Sequence, residues 1–179
     1  MMHIFVEGET DETFISEIFD SIIKNVYGDY TIIKYQKSKK QKTINYINSI
    51  NRMKRKNMNA EYLFIHDQDG NDNVVEDIIA KYPILDRENI FISVFEIESW
   101  IIAGISDNLT NKYKIKPPIN TDSITKEKFR SIKPERLSLR EFIIDVIAEY
   151  DVTRAMERSS SFCAFYEFFD KKKQAKDCF

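Results

Sequence analysis

The sequence has 179 residues and a formal net charge of −2, and its length suits one domain or one domain with a helical extension. Hydrophobic residues make up 42% and charged residues 31%, which is the balance of a globular chain and not of a disordered one. No apolar stretch approaches the roughly 20 residues that span a bilayer. We therefore expect a cytoplasmic protein that does not bind membranes.

The first half of the sequence alternates predicted strands with predicted helices. Apolar runs predict strands at residues 2–6, 31–35, 61–66 and 90–95. Between them, apolar residues at helical spacing predict one helix from an N-cap at Thr10 to Val26, a second through residues 44–53, and a third around residues 74–79. Because the strands are nearly all apolar and alternate with helices, we expect an α/β fold with a mainly parallel four-stranded sheet flanked by helices.

The second half of the sequence has weaker patterns. Residues 105–134 carry three prolines, two of them adjacent at Pro117 and Pro118, and many polar residues, which predicts a loop or irregular segment. Helices are predicted at residues 138–149 and 161–173, with a short one between them at 151–158. We therefore divide the chain into a core at 1–104 and a C-terminal helical extension at 105–179, packed on the core as one structural unit.

Cysteine and histidine give little support for catalysis. Cys163 and Cys178 have no His or Cys at metal-ligand spacing, which argues against a zinc site. His3 and His66 fall inside apolar runs, so we interpret them as core or strand-end residues. Trp100, in the segment after the fourth strand, is interpreted as a packing residue.

Carboxylates follow three of the four predicted strands: Glu7 after the first, Asp67 and Asp69 after the third, and Glu96 and Glu98 after the fourth. The carboxyl ends of parallel strands share one edge of the sheet, where ligands of such folds bind. Alternate residues of an extended chain point to the same side, so each pair should face one point, with Gly70 leaving the Asp pair exposed. Crowded carboxylates without Cys or His favour Mg²⁺ or Mn²⁺. Taken singly, each motif is also ordinary turn or helix-start sequence, and Asp11 is interpreted as a helix-start acid.

The charge is unevenly distributed along the chain. The segment from Lys34 to Lys56 holds nine of the 27 Lys and Arg residues and no Asp or Glu. Such a segment predicts either a surface that meets a polyanion or a solvated lysine-rich helix face. On the first interpretation the candidate nucleic-acid contacts are Lys37, Lys39, Lys40, Lys54, Arg55 and Lys56.

Three motifs, VEGETDE, IHDQDG and FEIESW, resemble the glutamate, Asp-x-Asp and downstream acidic motifs of TOPRIM domains. That family includes bacterial primases, topoisomerases, RNA-maturing ribonucleases and the overcoming-lysogenization-defect nucleases. The resemblance covers about residues 2–104 and is nearest to small stand-alone TOPRIM-like proteins. It implies a Rossmann-like TOPRIM fold.

The resemblance also implies roles for the acids. Glu7 would be a general acid or base or a metal ligand, and Asp67 and Asp69 would be the metal-binding pair, so that Glu7 and Asp67 are the candidate catalytic residues. Glu96 and Glu98 would complete a second metal position. The basic residue that nuclease members place near the metals has three candidates, namely Lys34, Arg130 and Lys133.

Three functional hypotheses follow from these expectations. The leading one is a Mg²⁺- or Mn²⁺-dependent phosphodiesterase, a nuclease acting on nucleic acid. The alternative is a partner-dependent, non-autonomous TOPRIM-like subunit of a larger complex, such as a phage-defence system. The expected partners are nucleic acid and either another protein or further copies of this chain. A small-molecule phosphohydrolase or nucleotidyl transferase on the same fold is the third.

Overall fold

The computed structural model describes residues 1–177, with side chains through residue 176, and it confirms the α/β fold. Its sheet consists of four parallel strands in the order β2-β1-β3-β4. The strands are β1 (Met2–Val6), β2 (Tyr30–Lys34), β3 (Glu61–Asp67) and β4 (Ile90–Ser93).

Ten α-helices lie within residues 1–177, and a short 3-10 helix (Arg87–Asn89) precedes β4. They are α1 (Glu9–Ile18), α2 (Asp20–Tyr27), α3 (Lys40–Arg55), α4 (Val74–Lys81), α5 (Ile97–Ala103), α6 (Asp107–Tyr113), α7 (Lys126–Ile132), α8 (Leu139–Ala148), α9 (Val152–Arg158) and α10 (Ser160–Asp177). In this described part of the chain, no helix has both the length and the apolar character needed to cross a bilayer.

The chain forms two compact units. The first, which we call the sheet unit, comprises Met1–Ile92 and the chain from Phe169 onward, and the second, the helical unit, comprises Ser93–Phe168. The boundary expected at residue 104 therefore falls inside the helical unit, because α5 belongs with the helices that follow it.

The sheet unit is built around a short, fully buried central strand. All five residues of β1 are buried, and Met2 is in register with Tyr30 on one side and Glu61 on the other. On one face of the sheet, Phe5 and Phe64 belong to a cluster that includes apolar residues of α3 and α4. A strand covered on both faces has no polar face, which is why β1 reads as a continuous apolar run.

The helical unit has an aromatic core. Trp100 is fully buried, its ring stacks on Phe165 at a centroid distance of 5.2 Å, and its Nε1 donates to Ser161 Oγ at 2.8 Å. The interpretation of Trp100 as a packing residue is therefore confirmed. Because a buried indole N–H needs an acceptor, the serine-rich turn at the start of α10 has a structural role here.

Two predicted helix boundaries were wrong at the N-terminal end. The helix expected from Thr10 to Val26 is two helices, α1 and α2, which meet at Phe19. The N-cap of α1 is Gly8 and not Thr10, because the Asp11 carboxylate accepts the Gly8 N–H at 3.0 Å. The interpretation of Asp11 as a helix-start acid is confirmed by the same contact.

The segment predicted as irregular at 105–134 contains two helices, α6 and α7. Each begins after a hydroxyl N-cap: Ser106 Oγ accepts from Leu109 N, and Thr125 Oγ1 accepts from Lys128 N. Each of these two helices buries a single residue, Leu109 in α6 and Phe129 in α7, so their capping residues are the clearer sequence signal. The three helices predicted after residue 134 are confirmed as α8, α9 and α10. Cys178 lies outside the described residues.

Candidate active site at the carboxyl edge of the sheet

Glu7 and Asp67 meet where the direction of the strand order changes. The chain passes from β1 to β2 on one side, whereas β3 and β4 lie on the other, so the topological switch point is between β1 and β3. Glu7 directly follows β1, and Asp67 is the last residue of β3. The Asp67 N–H donates to Glu7 Oε1 at 3.2 Å, so the structure brings these two predicted site residues together.

The Glu7 carboxylate is held by four donors. Three of them reach Oε1: the Tyr35 hydroxyl at 3.1 Å, His66 Nδ1 at 2.5 Å and the Asp67 N–H. The fourth, Gln36 Nε2, donates to Oε2. Tyr35 is buried and Gln36 is exposed, so Oε1 is fixed inside the protein while Oε2 meets a solvent-exposed partner.

Glu7 and His66 form a half-buried ion pair. Burial by itself would raise the pKa of Glu7, but the hydrogen bond and the charge of His66 bring that pKa below its ordinary value. Burial would likewise lower the pKa of His66, whereas the contact with Glu7 raises it above its ordinary value. The pair therefore favours a carboxylate beside an imidazolium.

His66 and Tyr35 are site residues that the sequence interpretation missed. His66 was interpreted only as a strand-end residue, although its place next to Asp67 at the carboxyl end of β3 was a usable signal. Tyr35 carries no such signal, because its contact with Glu7 joins residues 28 positions apart and depends on the pairing of β1 with β2.

Asp11 joins the carboxylates of this edge. Burial raises the pKa of Tyr35, and the charges of Glu7, Asp11 and Asp67 raise it further. These three carboxylates therefore act on one buried phenol. The pKa of Tyr35 stays far above neutrality, so the phenol remains a hydrogen-bond donor to Glu7.

Asp67 and Asp69 differ in exposure, although both were expected to be exposed. Asp67 is only 4% exposed, whereas Asp69 is exposed in a turn with φ of +51° at Asp69 and +71° at Gly70. The turn is closed by the Asn71 N–H, which donates to the Gln68 carbonyl at 2.9 Å. The strand ends at Asp67, so the alternation of an extended chain does not reach Asp69.

A pocket of about 200 Å³ adjoins this turn. It is lined by His66, Asp67, Gln68, Asp69, Asn71, Val74, Asp77, Ile78 and Lys81. The carboxyl end of β3 and helix α4 therefore form a recess that contains both members of the Asp pair and the histidine that contacts Glu7.

Glu96 and Glu98, in the helical unit, also differ from expectation. The fourth strand ends at Ser93 and α5 begins at Ile97, so Glu96 is an N-cap and Glu98 lies in the first helical turn. Consecutive helical residues are about 100° apart, so a spacing of two no longer places side chains on one face. Glu98 is 4% exposed.

Lys126 holds the Glu96 carboxylate. Its Nζ lies 3.0 Å from Oε1, and its backbone N–H donates to Oε2. This ion pair gives Glu96 a structural contact between the starts of α5 and α7. The second metal position implied for Glu96 and Glu98 stays a prediction.

A strained turn precedes Glu96. The Glu96 N–H donates to the Val94 carbonyl at 3.0 Å, which closes a three-residue turn around Phe95, whose φ is +60°. A γ-turn of this hand is rare and strained, and such backbone costs about 1–3 kcal/mol. The Ser99 hydroxyl stabilises the turn by donating to the same Val94 carbonyl at 3.0 Å.

The candidate nucleic-acid contacts form two groups at opposite edges of the sheet. Lys37, Lys39 and Lys40 follow β2 at the carboxyl edge, where Lys37 pairs with Glu9 at 2.6 Å. The others lie at the far end of α3, whose 16 residues span about 24 Å at 1.5 Å per residue. That far group consists of Lys54, Arg55 and Lys56, all exposed.

Two of the three candidates for a basic catalytic residue have other partners. Lys34 pairs with Glu12 in the sheet unit. Lys133 Nζ donates to the carbonyls of Pro134 at 3.0 Å and Leu137 at 2.6 Å in the helical unit. Arg130 lies in α7. The role of a basic residue near the acids stays a prediction for all three.

Glu7 and Asp67 are the oxygen donors at this edge that could bind a metal ion. Among the described side chains, no group of three His, Cys, Asp or Glu residues is arranged to hold a metal ion. Mg²⁺ in phosphoryl-transfer sites commonly takes one or two carboxylates and completes its octahedron with water and substrate phosphate. Glu7 and Asp67 are hard oxygen donors from neighbouring strand ends. They therefore fit a Mg²⁺ site that uses one or two protein carboxylates.

Comparisons with known proteins gave no relative. No protein-family model, no curated protein and no solved structure matches this chain.

Proposed function

We propose that this protein is a divalent-metal-dependent phosphodiesterase that cleaves nucleic acid in the cytoplasm. One observation supports it most directly: a Glu7 carboxylate whose pKa is held low, hydrogen-bonded to the Asp67 backbone at the switch point of a parallel sheet. Sheets of this type bind ligands at that point. The exposed Lys37, Lys39 and Lys40 follow β2 at the same edge and would attract a phosphate backbone.

Glu7 and Asp67 are the residues that would hold Mg²⁺ or Mn²⁺, and Asp69 lies on the turn that follows Asp67. When bound, the ion would supply Lewis-acid stabilisation of the phosphoryl oxygens and a water of lowered pKa. Asp67 is buried beside Glu7 and Asp69 is exposed on the turn, so the three acids offer both an inner and an outer set of oxygens.

The two oxygens of Glu7 have different tasks in this proposal. Tyr35, His66 and the Asp67 N–H hold Oε1 and fix the orientation of the carboxylate. Of the four donors, only the exposed Gln36 amide contacts Oε2. A substrate or water can displace an exposed amide at a small cost in free energy. Oε2 is therefore the atom that accepts the proton of the attacking water.

Hydrolysis of a phosphodiester adds the water oxygen to phosphorus, breaks one phosphorus–oxygen ester bond, and releases an alcohol that takes a proton from solvent. The lowered pKa of Glu7 keeps it ionised at neutral pH, which favours a bound cation, and Oε2 accepts a proton as a weaker base than an ordinary carboxylate. The His66 imidazolium balances the charge of Glu7 when no substrate is present.

The test is cleavage of labelled single- and double-stranded DNA and RNA with Mg²⁺, Mn²⁺ or EDTA. We expect metal-dependent cleavage that falls at least about 100-fold in Glu7→Gln and Asp67→Asn, because the first removes the proposed proton acceptor and the second a proposed metal-holding carboxylate. Glu17→Gln is the matched control, since Glu17 is an exposed acid of α1 in the same unit and should retain full activity.

Three outcomes would contradict the proposal. Normal cleavage by Asp67→Asn would remove the role of that acid. Absence of cleavage by folded wild type, with activity appearing only after a second protein is added, would establish the partner-dependent subunit of a larger complex, such as a phage-defence system, in its place. Hydrolysis of nucleotides without cleavage of polymers would establish a small-molecule phosphohydrolase.

A further inference from the structure

The outward stripe of α3 contains no acid. Residues spaced by three, four, eight and eleven positions lie on one face of a helix, and here that face is exposed. The stripe consists of Gln41, Lys42, Asn45, Ser49, Arg52 and Lys56. The chain has no Asp or Glu at all from residue 30 to residue 60. Every polar side chain on this surface is therefore a cation, an amide or a hydroxyl.

The opposite face of α3 explains why the helix forms but not the composition of its stripe. Thr43, Ile47 and Ile50 are buried, and the two isoleucines pack into the cluster with Phe5 and Phe64 of the sheet. Folding requires only that apolar face. Solvated helix faces usually intersperse both signs of charge, which supports the helix through pairs four residues apart.

The cations of the stripe are not used inside the protein. Lys42, Arg52 and Lys56 are exposed, and within residues 1–176 none of them forms an ion pair or a side-chain hydrogen bond. Polar contacts along the stripe are local: the Gln41 amide donates to Asn45 Oδ1 at 2.9 Å, and Ser49 Oγ donates to the Asn45 carbonyl at 2.9 Å. The donors of Lys42, Arg52 and Lys56 are therefore accessible to a ligand.

The far end of the stripe is held in place by its helix cap. The Met58 N–H donates to the Met53 carbonyl at 3.1 Å, and the Asn57 N–H donates to the Lys54 carbonyl at 3.0 Å, with Asn57 at φ +56°. This is the pair of hydrogen bonds of a Schellman motif. Lys56 therefore lies at an ordered helix end.

We propose that this stripe is a track for the sugar-phosphate backbone of a nucleic acid. The inference rests on the proposed nucleic-acid substrate and adds that the polymer runs along the exposed stripe of α3. Amide, hydroxyl and cationic side chains are the groups that contact phosphates without reading sequence. Gln41 is adjacent to Lys40, so the track begins at the carboxyl edge that carries Glu7 and runs to the opposite edge.

The dimensions of the stripe suit a polymer. From Gln41 to Lys56 the helix rises about 22 Å at 1.5 Å per residue. Phosphates of one duplex strand are about 3.4 Å apart along the axis, so the track matches about six or seven nucleotides. An acidic membrane surface fits less well, because a membrane-binding helix presents an apolar face to the lipid and the apolar face of α3 is buried against the sheet.

The experiment measures binding of fluorescein-labelled 20-nucleotide and 20-base-pair DNA in EDTA by fluorescence anisotropy, between 0.05 and 0.3 M salt. The test variant is Arg52→Gln/Lys56→Gln. The control is Lys116→Gln/Lys173→Gln, which removes the same charge from two exposed lysines outside the stripe. A second test variant, Lys42→Gln, probes the near end.

We expect the slope of log affinity against log salt to become shallower by about 0.9 for each lost contact on duplex or about 0.7 on single strands. The double test variant should therefore lose about 1.8 on duplex, and the control should keep the wild-type slope. Unchanged unfolding midpoints, expected for exposed positions, exclude a folding defect.

Equal slopes for the test variant, the control and wild type would overturn the proposal, and so would the absence of wild-type binding both to DNA and to RNA of the same length and strandedness. If the test variant lost binding to phosphatidylserine-containing vesicles but kept wild-type DNA binding, the ligand of the stripe would be a membrane and not a nucleic acid. Because binding is measured in EDTA, the two proposals can be tested separately. Cleavage by wild type with no change of binding in the stripe variants refutes only the track. Weaker binding by the stripe variants with no cleavage by wild type refutes only the phosphodiesterase.

Discussion

The Nδ1 atom of His66 lies 2.5 Å from Oε1 of Glu7, which joins the penultimate residue of β3 to the residue that follows β1. The same nitrogen is 2.7 Å from the Asp67 carbonyl. A carbonyl only accepts, so Nδ1 carries a proton shared between these two acceptors. The histidine thereby fixes the carboxylate that we assign to proton acceptance.

Replacing His66 by Gln should change how stability depends on pH. The pKa of His66 is raised above 6.5, so the pair stabilises the protein fully below that pH and less as the pH rises through the raised pKa. The pKa of Glu7 is lowered below 4.5, so its contribution is lost only as the pH falls through the lowered value. Stabilisation by the pair is therefore greatest between pH 4.5 and 6.5.

Thermal unfolding in EDTA from pH 4 to 9 measures this effect. We expect wild type to exceed His66→Gln by about 1 kcal/mol in that window, or roughly 2–4 °C for a chain of this size. The difference should shrink at higher pH. A constant difference across the range would show that His66 contributes by packing alone.

Tyr35→Phe should destabilise the sheet unit. The buried hydroxyl donates to the Glu7 carboxylate at 3.1 Å, and hydrogen bonds to charged groups contribute about 1.5–3 kcal/mol. Urea unfolding of this variant measures the loss. Tyr46→Phe is the matched control, because the Tyr46 hydroxyl is part-exposed and lies 3.4 Å from His3 Nδ1, so we expect a loss of at most about 0.5 kcal/mol. Equal losses would contradict a special role for Tyr35.

Asn57→Gly should stabilise the protein. Asn57 occupies the left-handed region at φ +56° after the last turn of α3, where glycine meets no steric penalty. We expect a gain of about 0.5–1 kcal/mol in urea unfolding. Asn57→Ala should lose about 1 kcal/mol, because an alanine Cβ is disfavoured in that region. A loss of stability in the glycine variant would contradict the cap.

Gly104→Ala should be strongly destabilising. A Cβ at this position would overlap the ring of Tyr150, which is fixed by its hydroxyl donating to the Trp100 carbonyl at 2.6 Å. Overpacking of this kind costs about 1–3 kcal/mol. Urea unfolding with Trp100 fluorescence as the probe reports the helical unit directly. An unchanged midpoint would mean that the ring moves aside without cost.

The sequence by itself determined which elements form and where the acids lie along the chain. Apolar runs predicted all four strands, because strands covered on both faces must be apolar at every position. Capping and periodicity predicted α3, α8, α9 and α10 in the same way. The hydrophobic pattern did not predict α6 and α7, each of which buries only one side chain.

Only the tertiary structure decided which acids act together and what holds them. The alternation rule failed at Asp69 and at Glu98 because the strand stops before each residue, and a local turn or helix then sets the side-chain direction. The four donors on Glu7 come from Tyr35, Gln36, His66 and Asp67, at least 28 positions away in sequence. Such contacts arise from strand order and register, which local sequence does not encode. The site could therefore be recognised only from the pairing of β1 with β2 and with β3.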